Sequence, residues 1–298
     1  MFIRRILLND PPPAKADPVN AEVGEELQRR MLSLLGTYTT PEGHVDYARL
    51  RASGEFREVV ECSRRFQHLD LSLLDTPPAR LAFWINVYNA LVLHGIISLG
   101  VRRTVWEVWN FFGRASYRIG GFTFSADEIE HGILRGNRRR IIPPLRSFAR
   151  RDPRLAMAIT PVDPRIHFAI TCGARSCPPI GVYRTAAIDQ QLDLATRNFV
   201  NQEIALDSQG RIICSKIFKW YRSDFDTTGG LTDFLLRYLD DGPVREAVAG
   251  GAARARHSGL TNGGFSFPLS SETSPRVSAA SPRMVNGKRA TEGGGRGD

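Results

Sequence analysis

The sequence has little lysine and lacks the common motifs for nucleic-acid binding. Of its 40 basic residues only four are lysine, and the others are arginine. The formal net charge of +9 is compatible with an anionic partner, but an arginine-rich composition is the simpler interpretation. No zinc-finger spacing, glycine-rich phosphate loop or aromatic-basic RNA motif is present. We therefore expect no specific nucleic-acid partner.

The sequence also lacks a long uninterrupted apolar run. Spanning a bilayer takes about 18–20 such residues, and the best stretch, Leu81 to Leu99, is interrupted by Asn86, Asn89 and His94. This pattern predicts a buried helix rather than a transmembrane segment. The apolar patch near the N-terminus is too short for a secretory signal. We therefore expect a cytoplasmic location.

Cysteine is sparse, with four residues at irregular spacings. They are Cys62, Cys172, Cys177 and Cys214. Without an export signal, free thiols in a reducing compartment are a better interpretation than two disulfides. No cysteines have the close spacing of common zinc sites, so the sequence predicts neither a metal site nor a cofactor.

Composition divides the chain into a folded part and two tails. Residues 1–17 are rich in proline and polar residues, and residues 250–298 in Gly, Ser, Pro and Arg. Both tails are predicted to be disordered, because they have too little apolar surface to offset the entropy of ordering. Residues 18–249 are predicted to form a single domain that is long enough for a sizeable core without disulfides.

The domain is predicted to be α+β, mainly helical with short antiparallel hairpins, because helical and hairpin patterns occur in an irregular order. Tyr117–Phe124 and Ile204–Ile213 are predicted hairpins, Ser125–Glu128 a capping box, and Arg165–Cys172 a strand. Apolar spacing predicts helices over residues 21–35, 45–62, 76–99, 105–112, 187–201, 216–222 and 231–239.

The segment from His167 to Pro179 is the strongest candidate for chemistry. It contains a histidine, two of the four cysteines and Ser176, and Gly173 and two prolines favour a rigid loop. Cys172, or else Cys177, is the candidate nucleophile, with His167 as its acid–base partner. Side chains alternate along a strand, so the thiol and the imidazole meet only if the chain turns. Alternatively, both cysteines are small buried apolar residues, or they form a redox pair.

Asn86 and Asn89 are three residues apart within the most apolar predicted helix. An unpaired buried amide costs about 1–3 kcal/mol, so both side chains should have partners. They are predicted either to anchor a loop or to orient a catalytic imidazole, as the asparagine of Cys-His-Asn proteases does.

A basic and aromatic cluster lies further along the chain. Two of the four lysines occur here, next to aromatic residues. The cluster is interpreted either as a rim that binds an anionic small-molecule or peptide substrate, or as an amphipathic helix with snorkelling lysines. Its residues are Lys216, Lys219, Trp220, Tyr221 and Arg222.

Glu130 and His131 form a weaker candidate acid–base pair. They are adjacent in sequence, and on a regular α-helix adjacent residues do not face each other.

Five motifs, in this order between Thr76 and Phe225, together resemble domain-of-unknown-function family 547 (DUF547). The resemblance implies a single domain in which the motifs converge, and it implies no particular reaction. The motifs begin at Leu81 (LAFWINVYNA), Tyr117 (YRIGG), Asp127 (DEIEHGILR), His167 (HFAITCGARSCPP) and Ser215 (SKIFKWY).

The leading hypothesis is therefore a thiol-dependent hydrolase or acyl transferase. Cys172 or Cys177 would be the nucleophile, His167 the acid–base group, and Asn86 or Asn89 the group that orients the imidazole. The alternatives are a non-catalytic binding or scaffold domain, and a thiol redox protein that uses Cys172 and Cys177.

Overall fold

The fold is known from a computed structural model. It describes residues 4–13, 22–40, 45–140, 143–171, 180–258 and 265–266. These residues form one mainly helical α+β domain with two small three-stranded sheets, which confirms the predicted fold class.

Helix α4 (Pro77–Ser98) is the central element of the fold. It begins at prolines in its first turn, with the Thr76 hydroxyl accepting a hydrogen bond from the Ala79 amide. Sixteen consecutive residues from Ala82 onward are buried. The helix is long and apolar enough to cross a membrane by length and composition alone, but 89% of its apolar window is buried inside the protein. It is therefore packed as a core helix.

Three helices cover one side of α4. They are α1 (Glu22–Tyr38), α2 (Tyr47–Ala52) and α3 (Gly54–Arg65). Helix α1 buries Val23, Leu27, Met31 and Leu34, the apolar stripe that its spacing predicts.

The first sheet has the order β1 (Ile6–Leu7), β2 (Ala115–Ile119) and β3 (Phe122–Ser125). Strands β2 and β3 form the predicted antiparallel hairpin, which turns at Gly120-Gly121. Both glycines have positive φ, and a Cβ on Gly120 would lie 2.6 Å from Leu71 Cδ1 and 2.9 Å from the Leu69 carbonyl oxygen. The turn therefore needs glycine both for its backbone conformation and for space.

Strand β1 corrects the predicted boundary of the N-terminal tail. It pairs in parallel with β2, within the part of 1–17 that was predicted to be disordered. Asn9 is completely buried, and its side chain makes two hydrogen bonds with the backbone of Arg118, each 2.9 Å long. Pairing of β1 with β2 and the hydrogen bonds of Asn9 order this part of the chain, although its composition alone predicted disorder.

The second sheet and the remaining helices form a second part of the core. β4 (Ala205–Leu206) and β5 (Ile212–Ile213) form the second predicted hairpin, and β6 (Phe265–Ser266) adds in parallel to β5. They pack with α7 (Ile188–Glu203), α8 (Ile217–Trp220), α9 (Leu231–Tyr238) and α10 (Pro243–Ser258). Five phenylalanine rings meet there, those of Phe168, Phe199, Phe218, Phe225 and Phe234.

Helix α10 and strand β6 extend into the residues that were predicted as the C-terminal tail. The predicted disordered tail begins at residue 250, whereas α10 continues to Ser258 and β6 lies further along the chain. Residues 259–264 and 267–298 of that tail lie outside the described residues.

The predicted strand from Arg165 to Cys172 is wrong in its described part. A 3-10 helix, Pro164–Phe168, occupies it. The Asp163 carboxylate accepts a hydrogen bond from the Arg165 amide at 2.9 Å, and proline takes the first position. Asp followed by Pro is a helix-start signal, and here it overrides the apolar run that suggested a strand.

The predicted helix over 105–112 is also divided. A 3-10 turn, Val105–Glu107, precedes a short helix α5 (Phe111–Arg114), and Asn110 between them has a left-handed backbone conformation. The left-handed residue interrupts the helix because a continuous helix cannot contain that conformation.

Candidate functional site

The first part of the site is a π-helical turn that follows the β-hairpin. The predicted capping box at Ser125 and Glu128 is present and starts helix α6 (Ala126–Glu128), which continues as a π-helix, Ile129–Leu134. The Arg135 amide donates to the carbonyl of Glu130, five residues earlier, at 2.9 Å. π-Helical turns are rare in proteins, and those that occur are often found at functional sites. Here it contributes Glu130, His131 and Arg135 to one buried cluster.

Asp224 is the acceptor at the centre of the cluster. It is completely buried in the 3-10 helix Arg222–Thr228. Arg135 binds both of its oxygens, Nε to Oδ2 at 2.5 Å and Nη2 to Oδ1 at 3.1 Å, and Arg138 Nη1 donates to Oδ1 at 3.0 Å. Burial opposes ionisation of this carboxyl, but its hydrogen bonds with His167 and Arg135 outweigh burial and lower its pKa. Asp224 is therefore a carboxylate.

His167 is bonded to this carboxylate. Its Nε2 lies 2.9 Å from Asp224 Oδ2, and its side chain is 1% exposed. Burial lowers the pKa of His167, and this effect outweighs the opposing one of Asp224. The ring is thus neutral near pH 7. Because a carboxylate can only accept, Nε2 carries the hydrogen and Nδ1 is the basic nitrogen.

Tyr221 packs between the basic groups of the site. Its ring stacks on His167 with a centroid distance of 3.9 Å, and the Arg135 guanidinium lies 4.8 Å from its centre. Its hydroxyl donates to Glu130 Oε1 at 2.6 Å, and Tyr88 donates to Oε2 at 3.3 Å. Burial raises the pKa of Glu130, but His131 and the Tyr221 hydroxyl lower it by more, so the net shift of this pKa is downward. The two tyrosines therefore solvate a buried carboxylate.

His131 connects this cluster to a third carboxylate. Arg135 Nη1 donates to its Nδ1 at 2.9 Å, and its Nε2 lies 3.4 Å from Asp127 Oδ1. Arg140 pairs with the other Asp127 oxygen. Among the residues that the structure describes, no group of three or more His, Cys, Asp or Glu side chains is arranged to hold a metal ion. Arginine guanidiniums, rather than a cation site, lie between these acidic groups.

Asn86 and Asn89 anchor the backbone on both sides of the cysteine segment. Asn86 exchanges two hydrogen bonds with the backbone of Tyr183, at 2.7 and 2.8 Å. The Asn89 amide donates to the carbonyls of Ala169 and Gly181, at 3.0 and 3.1 Å, and its oxygen accepts from the Thr171 amide at 3.1 Å. The structure thus places both side chains in the loop-anchoring role. The group that orients His167 is Asp224, which corrects the hypothesis that gave this role to an asparagine.

The cysteines fall into two groups. Cys172, Ser176 and Cys177 lie outside the described residues. Cys62 and Cys214 are buried free thiols, and burial raises the pKa of each to about 12. Those two thiols are therefore protonated near neutral pH and are poor nucleophiles.

The basic and aromatic cluster is divided between the site and the surface. Tyr221 belongs to the buried site, whereas Trp220 is 51% exposed. Lys219 and Arg222 are exposed and Lys216 is half-buried. All four lie within five residues of Tyr221 in the chain.

The sequence did not identify Arg135 or Asp224 as functional residues, and it ranked Glu130 and His131 too low. Asp224 lies three residues after Tyr221, and Arg135 four after His131, spacings that put side chains on one helical face. Neither spacing reveals that the two segments meet. The Arg135–Asp224 pair joins residues 89 apart in the sequence.

Comparison with known proteins gives one family match. Residues 72–200 match the model of a family described as "Protein of unknown function, DUF547". The chain carries a DUF547 domain. No curated protein and no solved structure gave a match. The matched range includes α4, the π-helical turn and His167, whereas Tyr221 and Asp224 lie beyond it. The site is thus completed by residues C-terminal to the matched segment.

Proposed function

We propose that this DUF547 protein is a thiol-dependent hydrolase or acyl transferase. Cys172 is the preferred nucleophile and Cys177 the second choice. His167 is the general base and acid, and Asp224 is the positioning residue that holds its ring. A reducing, cytoplasmic location is part of the proposal, because the reaction needs a free thiol.

The His167–Asp224 pair carries the proposal. A neutral imidazole whose Nε2–H is held by a buried carboxylate is the base-and-orienter arrangement of nucleophilic enzymes. The same carboxylate is held by two arginines, so it is fixed in both position and charge. Packing of Tyr221 against the ring leaves the imidazole little freedom to rotate.

The sequence position of the thiol supports the same assignment. Cys172 follows Thr171 directly, and Asn89 fixes the Thr171 amide. Because Asn89 also binds the carbonyls of Ala169 and Gly181, the backbone entering the cysteine segment and the backbone leaving it are held by one side chain. Such anchoring is suited to a short loop that presents a reactive group.

The reaction would proceed in two balanced steps. His167 Nδ1 takes the thiol proton, the sulfur attacks the carbonyl carbon of an ester, thioester or amide, and the carbon–sulfur bond forms. The bond to the leaving group then breaks, and Nδ1 returns the proton to it. Water or another acceptor next attacks the thioester carbonyl carbon while Nδ1 accepts its proton. The carbon–sulfur bond then breaks, the acid or the acylated acceptor leaves, and Nδ1 returns the proton to the sulfur.

An anionic small-molecule or peptide substrate fits the border of the site. Lys216, Lys219 and Arg222 supply positive charge next to Tyr221, and Trp220 supplies an exposed aromatic face. Ser176 is proposed to contribute a polar contact from the cysteine segment.

The proposal is tested by the pH dependence of iodoacetamide alkylation, measured for each cysteine by peptide mass spectrometry. Cys62 and Cys214, with pKa values of about 12, serve as internal references in the same sample. We expect Cys172 or Cys177 to react with an apparent pKa well below the usual value of about 8.5. His167→Gln should raise that apparent pKa, with circular dichroism confirming that the variant is folded.

The wild-type measurement does not depend on any variant. If Cys172 and Cys177 react no faster than the two reference cysteines until the protein unfolds, the thiol-enzyme proposal is refuted and a binding domain becomes the better account. If a thiol is activated, incubation with a p-nitrophenyl ester should add an acyl group to the same cysteine, and replacing that cysteine with serine should abolish the adduct.

A further inference from the structure

We propose that the segment around Trp106 and Trp109 docks onto an anionic lipid surface. Buried residues bound this segment at both ends: Val105 and Phe111 are 3% and 2% exposed, whereas Trp106 and Trp109 between them are 80% and 60% exposed. The inward residues hold the segment on the core, and both indoles lie on its outer side. Trp106 is the most exposed large apolar side chain among the described residues, and Trp109 follows three residues later. Exposed apolar patches often mark interaction sites.

The charge next to the indoles favours an anionic partner. Arg102 and Arg103 are both exposed. Glu107, the acidic residue of the segment, directs its carboxylate back to the protein, where it accepts hydrogen bonds from the backbone amides of Arg102, Arg103 and Thr104. The capping box thus holds the negative charge at the backbone. Two arginines against one glutamate still leave residues 102–111 with a net charge of +1.

The small size of the surface favours lipid over a folded protein. Taking about 250 Å² for each tryptophan, the two indoles expose roughly 350 Å² together. A stable protein interface buries about 800 Å² on each partner. Indole rings instead favour the headgroup region of a bilayer, where the apolar ring is buried and its N–H stays hydrated, and neighbouring arginines bind anionic headgroups.

Cosedimentation of the full chain with vesicles tests the proposal. We expect binding to phosphatidylcholine–phosphatidylglycerol vesicles, with a blue shift of tryptophan fluorescence, and much weaker binding to pure phosphatidylcholine. The double variant Trp106→Ala/Trp109→Ala should bind the anionic vesicles at least about tenfold more weakly, because membrane affinity scales with the apolar area inserted. Arg102→Gln/Arg103→Gln should weaken binding by roughly fivefold per arginine.

Leu194→Ala is the control, because Leu194 is an exposed apolar residue (48%) on helix α7, in another part of the fold. It should bind the vesicles like the wild type. Equal loss in this variant, absence of binding to anionic vesicles, or binding that does not depend on lipid charge would each overturn the proposal. So would self-association in sedimentation experiments that Trp106→Ala/Trp109→Ala abolishes, since a second copy would then be the occupant. None of these outcomes bears on the alkylation test of the thiol site.

Discussion

Replacing Asp224 by asparagine should destabilise the protein strongly, because it leaves a buried arginine without its counter-charge. Arg135 is 2% exposed, and Asp224 accepts from both Nε and Nη2 of its guanidinium. With charge centres about 4 Å apart and an effective dielectric constant of about 20, the attraction lost is roughly 4 kcal/mol. The new amide NH₂ would also face N–H donors of Arg135, Arg138 or His167. We therefore expect a loss of about 3–5 kcal/mol in the free energy of unfolding.

Urea denaturation near neutral pH is a suitable assay, with Asp240→Asn as the control. Asp240 pairs with Arg197 at 3.1 Å, but these side chains are 66% and 51% exposed. An exposed pair contributes about 0–1 kcal/mol, so the control should change little. In an Arg135→Met background the cost of Asp224→Asn should fall by about 2 kcal/mol or more, because the buried charge is already gone.

The pH dependence provides a second check on the same carboxylate. The pKa of Asp224 is lowered in the folded state. Its contribution is therefore complete above the unfolded pKa of about 3.9 and is lost as the pH falls toward the folded value. The difference between wild type and Asp224→Asn should accordingly decrease below about pH 4. A loss no larger than that of Asp240→Asn, or full additivity with Arg135→Met, would refute the reasoning.

Two further predictions concern the backbone around the site and the hairpin. Asn89→Ala removes the partners of three backbone groups, so it should cost about 2–3 kcal/mol and speed hydrogen exchange of the Thr171 amide; unchanged exchange would contradict the anchoring role. Gly120→Ala should be clearly more destabilising than Gly121→Ala in thermal unfolding. Both glycines have positive φ, but a Cβ at Gly120 meets Leu71 and a backbone carbonyl, while a Cβ at Gly121 meets nothing within 4 Å, so equal effects would contradict the steric account.

Local sequence signals predicted several elements correctly. The prolines and Thr76 mark the start of α4, Gly120-Gly121 marks the hairpin, and Ser125 with Glu128 marks the capping box. Each of these signals works within a few residues, through a backbone conformation or a hydrogen bond between near neighbours. The segment Arg165–Cys172, wrongly predicted as a strand, also had a local signal for a helix, the Asp-Pro pair at its start. The apolar residues that follow favoured a strand in the sequence analysis.

The roles of the asparagines were only partly accessible to sequence reasoning. Burial in an apolar helix requires that Asn86 and Asn89 have partners, and this much follows from the cost of an unpaired amide. Which groups they bind depends on where the segments at residues 169–171 and 181–183 pass α4. Tertiary packing therefore decides whether the asparagines anchor a loop or orient the imidazole of a histidine.

The sequence by itself determined the DUF547 domain, the α+β class, the central helix and the segment that contains His167. The tertiary structure alone decided that Asp224 is the partner of His167, 57 residues away, and that Arg135 neutralises this carboxylate. The physical reason is that helix periods, caps and turns are set by near neighbours. A buried ion pair instead depends on two distant segments that the packing of the whole core brings within 3 Å or so.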